Sequence, residues 1–171
     1  MNQLASLAGQ TRPESVVAHE GAEFSLLLRD GALRLAILAD AGTTWLEEFE
    51  GETAANGRRT MLVGPLSARN AAALRKRLPW LRPTLTGIRT SAGLGDRLGL
   101  ATPGHIRALR AVGGGIVPNL AQQSIREMTR ASRSAQQVLD DATWGAFEAG
   151  WREGYGADGD HLKEPADVDR C

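Results

Sequence analysis

Residues 116–130, Ile116-Val117-Pro118-Asn119-Leu120-Ala121-Gln122-Gln123-Ser124-Ile125-Arg126-Glu127-Met128-Thr129-Arg130, read as a strand that runs directly into a helix. The apolar run 116–121 follows three glycines and has the form of a buried strand, while Ser124 is an N-cap residue for a helix through Arg130. Upstream, residues 84–90 read as another strand, 91–97 as a loop, and 103–111 as a helix. That helix is announced by Thr102 at the N-cap and Pro103 at the first helical position. Downstream, Ser134 caps the longest helix, 135–151, with Ala135, Val138, Leu139, Ala142, Ala146 and Ala149 on one face and Trp144, Phe147 and Trp151 on an adjoining stripe. A third strand, 155–162, precedes Glu164-Pro165, where a further helix begins.

A strand–helix unit repeated three times implies parallel strands joined by crossover helices. The expected fold class is α/β, the N-terminal portion of a (β/α)8 TIM-like barrel behind a small α+β segment. A closed barrel requires about eight units, so the barrel is expected to be incomplete in this chain. The expected domains are 1–82, the α+β segment, and 83–171, the first three βα units.

Within the first segment, residues 1–20 lack periodicity and read as a loosely held leader. Residues 23–39 form a hairpin, because Asp30-Gly31 between two apolar runs tolerates the positive φ of a tight turn. Residues 51–59 read as a mobile connection, Met61-Leu62-Val63 as a short strand, and 67–78 as a helix capped by Ser67 and closed by Pro79.

Composition narrows the function. Twenty basic residues balance twenty acidic ones, which excludes the basic footprint of a general nucleic-acid binder. No apolar run approaches a membrane span, no signal peptide is evident, and Cys171 is the only cysteine, which excludes a disulfide framework. The expected compartment is the cytoplasm. Lys76 and Lys163 are the only lysines among the 20 basic residues, a bias toward arginine expected of a GC-rich genome, although arginine's fixed fork also suits carboxylate binding.

Three clusters follow the strands. In Gly93-Leu94-Gly95-Asp96-Arg97-Leu98-Gly99 the last glycine falls one place too late for a dinucleotide fingerprint. As the first βα loop of a barrel, it would instead offer Asp96 and Arg97 to a ligand, or use them to pin the loop. Gln122, Gln123 and Ser124 end the second strand with two amides and a hydroxyl, suited to a hydroxyl-rich ligand, although Ser124 also serves as a cap. The densest cluster is Gly156-Ala157-Asp158-Gly159-Asp160-His161-Leu162-Lys163. An imidazole beside carboxylates suits a divalent metal, and a carboxylate near such a metal can move protons. On a regular strand Asp160 and His161 would face opposite ways, so both reach one site only if the strand ends or bulges near Gly159. His19 lies in the leader, His105 in the first turn of a helix reads as structural or surface, and no Gly-x-Ser-x-Gly elbow is present.

Four blocks, 95–105, 121–128, Asp140-Asp141-Ala142-Thr143-Trp144-Gly145 and 156–163, together resemble the tagaturonate epimerase family. The resemblance implies a metal-dependent isomerase that interconverts D-tagaturonate and D-fructuronate, on a barrel longer than this chain. It implies His161 as a ligand of Zn, Ni or Mn and Asp160 as the acid/base. Asp96, Arg97, Gln123 and Lys163 become candidate substrate contacts, with Arg97 or Lys163 facing the substrate carboxylate. The implied partners are a hexulosonate substrate and either a C-terminal portion or a second copy, with no nucleic acid and no membrane. The inverted carbon lies β to the ketone, where enolisation does not make it planar, so retro-aldol cleavage and re-addition is the expected mechanism. Another metal-dependent ketose epimerase or aldolase, or a non-catalytic truncated fragment or half of a split enzyme, remain alternatives. Gly159 in place of an expected alanine and Glu164-Pro165-Ala166-Asp167 depart from the family pattern.

Overall fold

The computed structural model describes residues 11–170, and the chain divides into two compact units, Met1–Leu78 and Pro79–Cys171. The first is built on a five-stranded antiparallel sheet. Its strands are β1 (Val17–His19), β2 (Ala22–Arg29), β3 (Ala32–Asp40), β4 (Glu52–Asn56) and β5 (Arg59–Gly64), in spatial order β1-β2-β3-β5-β4, followed by helix α1 (Ala68–Arg77).

The hairpin expected at 23–39 is β2–β3, paired from Glu23↔Leu38 to Arg29↔Ala32, with Asp30 and Gly31 at φ 53° and 75° in its turn. Met61, Leu62 and Val63 lie in β5. Ser67 accepts the Asn70 N–H at 3.2 Å as the N-cap of α1. Leu74 of this helix and Leu78 at its C-cap are fully buried, and Asn70, one turn before Leu74, is buried too because its amide binds backbone on three sides. Its Oδ1 accepts from Glu50 N–H, and its Nδ2 donates to the carbonyls of Glu50 and Pro65.

Two expectations here are corrected. Residues 51–59 are not a mobile connection but most of a second hairpin, β4–β5, with Asn56 paired to Arg59 around Gly57 at φ 62°. The Asn-Gly pair is itself a hairpin signal, masked by weak apolar alternation in 52–56. Of the leader, residues 1–10 lie outside the described residues, but 11–19 are held. The Arg12 N–H donates to the Leu26 carbonyl, the buried Ser15 hydroxyl accepts the Leu26 N–H at 2.8 Å, and β1 pairs with β2.

The second unit is a parallel sheet with helices between its strands: β6 (Ser91–Gly93), α2 (Thr102–Val112), β7 (Val117–Ser124), α3 (Ile125–Ala131), α4 (Ala135–Glu148), β8 (Gly156–Asp160) and α5 (Pro165–Arg170). Strand order is β6-β7-β8, all parallel. Ser124 and Ser134 cap α3 and α4 as expected, and Ser134 forms a full capping box with Gln137. Ile106, Leu120, Met128, Trp144, Phe147 and Trp151 fill the core.

The first strand of this unit is displaced from its expected place. Residues 84–90 form no strand and turn at Gly87 (φ 61°), leaving Leu85 and Ile88 fully exposed. These two residues are an odd number apart and could not share a strand face. Helix α4 ends at Glu148 rather than 151, because Gly150 at φ 61° makes a left-handed exit, with the Trp151 N–H closing on the Ala146 carbonyl. Helix α2 begins at Thr102 itself, with Ala101 at the N-cap. The unit boundary falls before Pro79 rather than after 82. Leu81 accepts from the buried Tyr155 hydroxyl at 2.7 Å and Pro83 bridges to Tyr155, which binds 79–83 to the second unit. Among the described residues no helix is long and apolar enough to cross a membrane.

Candidate functional site

Parallel strands deliver their C-terminal ends to one edge of a sheet, so the residues following Gly93, Ser124 and Asp160 gather along that edge. There the register pairs Gln122 with Asp158 and Ser124 with Asp160. Gln122 Nε2 donates to Asp160 Oδ2 at 3.0 Å.

His161 resolves the problem of alternation. Strand β8 stops at Asp160 and His161 takes φ 56°, a left-handed conformation, so the chain reverses. The imidazole therefore comes round to the carboxylate that a regular strand would hold on the other face, with Nε2 3.5 Å from Asp160 Oδ2. The imidazole is 70% exposed and the carboxylate 34%, so both are open to a ligand.

Asp96 is committed to its own loop. Oδ1 accepts the N–H groups of Leu98 and Gly99, at 3.1 and 2.9 Å, and Oδ2 accepts that of Ala101. Burial works to raise its pKa, but the combined backbone hydrogen bonds from Ala101, Leu98, Leu100 and Gly99 prevail and hold it below the ordinary aspartate value. This is the loop-pinning alternative rather than a free substrate contact. Arg97, its neighbour, donates from Nε to Glu127 in the first turn of α3 and ties the loop after β6 to the helix after β7.

Of the two adjacent glutamines, Gln123 is the buried one, on the side of β7 opposite Gln122. Its Oε1 accepts from Arg133 Nη1 at 2.8 Å; the same guanidinium donates to the Asp96 carbonyl and to Asp141 Oδ2. Burial raises Asp141 above the ordinary aspartate value despite Arg133, and the Asp96 and Asp140 carboxylates add to the rise. Arg133 thus fastens loop, strand and helix together, and Gln123 belongs to that fastening. The residue facing Asp160 is Gln122, which the expected site omitted. Strand alternation allows only one of two neighbours to face the site. The glycines of the preceding loop indicate which: a Cβ on Gly95 would fall 2.6 Å from Gln122 Oε1, and one on Gly93 3.3 Å from its amide carbon.

Lys163 follows the reversal and lies with Ser124, Ile125, Arg126, His161 and Asp167 around a cavity of about 330 Å³. His105 sits in the first turn of α2 and His19 in β1. His161 and Asp160 are close enough to donate to one cation. Among the described residues no three His, Cys, Asp or Glu side chains converge, so these two fit part of a coordination shell and not a closed one.

Comparison with known proteins bears on this edge. A family model described as tagaturonate epimerase matches residues 13–171. A tagaturonate/fructuronate epimerase of Thermotoga maritima is 52% identical over 99 residues, covering 58% of this chain and 20% of its own. Crystal structures of the fructuronate-tagaturonate epimerase of Cohnella laeviribosi, native and with glycerol, superpose with a TM-score of 0.83 at 36% identity, covering 98% of this chain and 33% of theirs. The chain therefore spans about a third of the solved relative and a fifth of the curated one.

Proposed function

The chain belongs to the tagaturonate epimerase family, a family of isomerases, and on that premise we propose that it carries one wall of a metal-dependent site interconverting D-tagaturonate and D-fructuronate. The observation that carries the reading is the reversal at His161, which sets an exposed imidazole 3.5 Å from an acidic side chain at the C-terminal edge of a parallel sheet. Three consecutive parallel strands with helical crossovers support the view that the second unit is the opening segment of a larger (β/α)8 barrel. In such barrels this edge is the catalytic face. A cytoplasmic setting is part of the same proposal.

In this reading His161 Nε2 would be one ligand of a divalent cation, with Asp160 beside it and further donors supplied from outside the described residues. When bound, the cation supplies Lewis-acid stabilisation of negative charge developing on the ketone oxygen. Asp160 takes the proton from the hydroxyl on the carbon to be inverted. The bond from that carbon to the one beside the ketone then breaks, its electron pair passing to the enediolate and leaving an aldehyde. After the aldehyde turns its other face, the bond re-forms and Asp160 returns the proton to the new alkoxide. Gln122 Nε2 orients Asp160 from the neighbouring strand.

The test combines cation content with isotope exchange. His161→Gly keeps the left-handed turn and removes the imidazole, so it should fold normally while losing cation binding by about tenfold or more. Asp160→Asn in the active family protein should lower kcat by about a hundredfold or more. Retained cation affinity in His161→Gly, or rapid solvent deuterium incorporation at the inverted carbon, defeats the respective part of the reading.

A further inference from the structure

The cavity beside His161 has a charge pattern that the epimerase chemistry above does not use. Two of its lining residues, Arg126 in α3 and Lys163 after β8, bear fixed positive charge. The neighbouring arginines are already engaged: Arg97 with Glu127, Arg133 with Asp141, and Arg170 with the Thr129 hydroxyl at 3.5 Å. Among the described residues, neither the Arg126 guanidinium nor the Lys163 ammonium makes an ion pair. One carboxylate, Asp167, shares the lining, but its Oδ2 accepts the backbone N–H groups of Lys163 and Glu164 at 2.9 and 3.1 Å. Those hydrogen bonds hold its pKa below the ordinary aspartate value. Two cations and one ionised carboxylate, Asp167, which Lys163 and Arg170 attract, thus line a concave space that also reaches the imidazole of His161, leaving positive charge in excess there.

We propose that Arg126 and Lys163 form a carboxylate-binding subsite that holds the acid end of a keto sugar acid while its ketone end faces Asp160 and His161. The proposal rests on the epimerase reading for the identity of the substrate. Its chemistry is independent: a guanidinium presents a planar fork to a carboxylate and the ammonium adds a point charge, so an acid is favoured over a neutral sugar of the same skeleton. Arg126 replaces Arg97 in this role, because the Arg97 guanidinium is paired with Glu127.

Binding to the 171-residue chain tests this without requiring turnover. Isotope-labelled chain is titrated with D-tagaturonate, with the neutral ketohexose D-tagatose, and with a ketohexose 6-phosphate, following the His161 and Lys163 resonances. The expected result is that Arg126→Gln weakens tagaturonate binding by about tenfold or more, the size of a lost charge-assisted hydrogen bond, and leaves the neutral sugar unchanged. Arg126→Lys should recover part of the loss, and adding Lys163→Gln to Arg126→Gln should deepen it. Absence of tagaturonate binding by the unaltered chain overturns the proposal, as does an equal effect on acid and neutral sugar. Tighter binding of the phosphate ester overturns the assignment to a carboxylate. Epimerisation is measured separately by sugar interconversion in the active family protein, so failure of one reading leaves the other visible.

Discussion

A non-glycine residue in the left-handed region carries a backbone cost of about 1 kcal/mol or more, and His161 bears it at φ 56° directly beside Asp160. The strain makes sense as the means by which consecutive residues share one site. Asp96 shows the opposite economy, since both its oxygens are taken by the loop it sits in. Asp96→Ala should destabilise the second unit by about 1–3 kcal/mol at neutral pH, read by chemical denaturation. The sign of the pH dependence follows from the lowered pKa in the folded state. The stability that the ionised carboxylate contributes is fully present above the unfolded value, near pH 4, and is lost as pH falls through the lower folded value. The difference between the unaltered chain and Asp96→Ala should therefore be constant above roughly pH 5 and shrink in acid below roughly pH 4. A difference that grows on acidification would contradict the assignment.

At the scale of elements, the edge is precise because helices and loops are locked to the strands they follow. Arg133 joins the loop after β6, strand β7 and helix α4 through the Asp96 carbonyl, Gln123 and Asp141. Helix α4 approaches α2 closely through Gly145, where a Cβ would fall 2.5 Å from the Thr102 Cβ. Gly145→Ala should therefore cost about 1–3 kcal/mol despite the better helix propensity of alanine, whereas Ser134→Ala should cost about 1 kcal/mol through loss of the capping box. Thermal unfolding of the two variants separates them, because an alanine that stabilised α4 at position 145 would mean the helices have room to part. The elements whose ends carry local chemistry, Ser67, Ser124, Ser134 and the Asp30-Gly31 turn, were legible in the sequence. The displaced strand at 91–93 was not, because only three residues pair and all three are small.

For the molecule as a whole, a three-stranded parallel sheet keeps two outer edges, on β6 and β8, and the segments flanking β6 also expose Leu85, Ile88, Leu98 and Leu100. Open strand edges and exposed apolar side chains favour association. Gel filtration of the isolated chain at micromolar concentration should give a species larger than the 18.3 kDa monomer. Elution as a stable monomer would show that these edges are protected within the chain itself. The proposed cation site would likewise need donors from several strands, because among the described residues no three His, Cys, Asp or Glu side chains converge.

The amino-acid sequence by itself determined the alternation of strand and helix, the caps, the hairpin at 23–39 and the four blocks that carry the family resemblance, because each depends on residues near one another in the chain. It also located the carboxylate–imidazole cluster. Only the tertiary structure decided that Gln122 rather than Gln123 faces Asp160, that Asp96 is consumed by its own loop, that Arg97 is paired, and that Arg126 joins His161 and Lys163. Those outcomes depend on strand register, on which face a helix covers and on a single left-handed residue. Such quantities are set by packing between segments tens of residues apart, which no local pattern records.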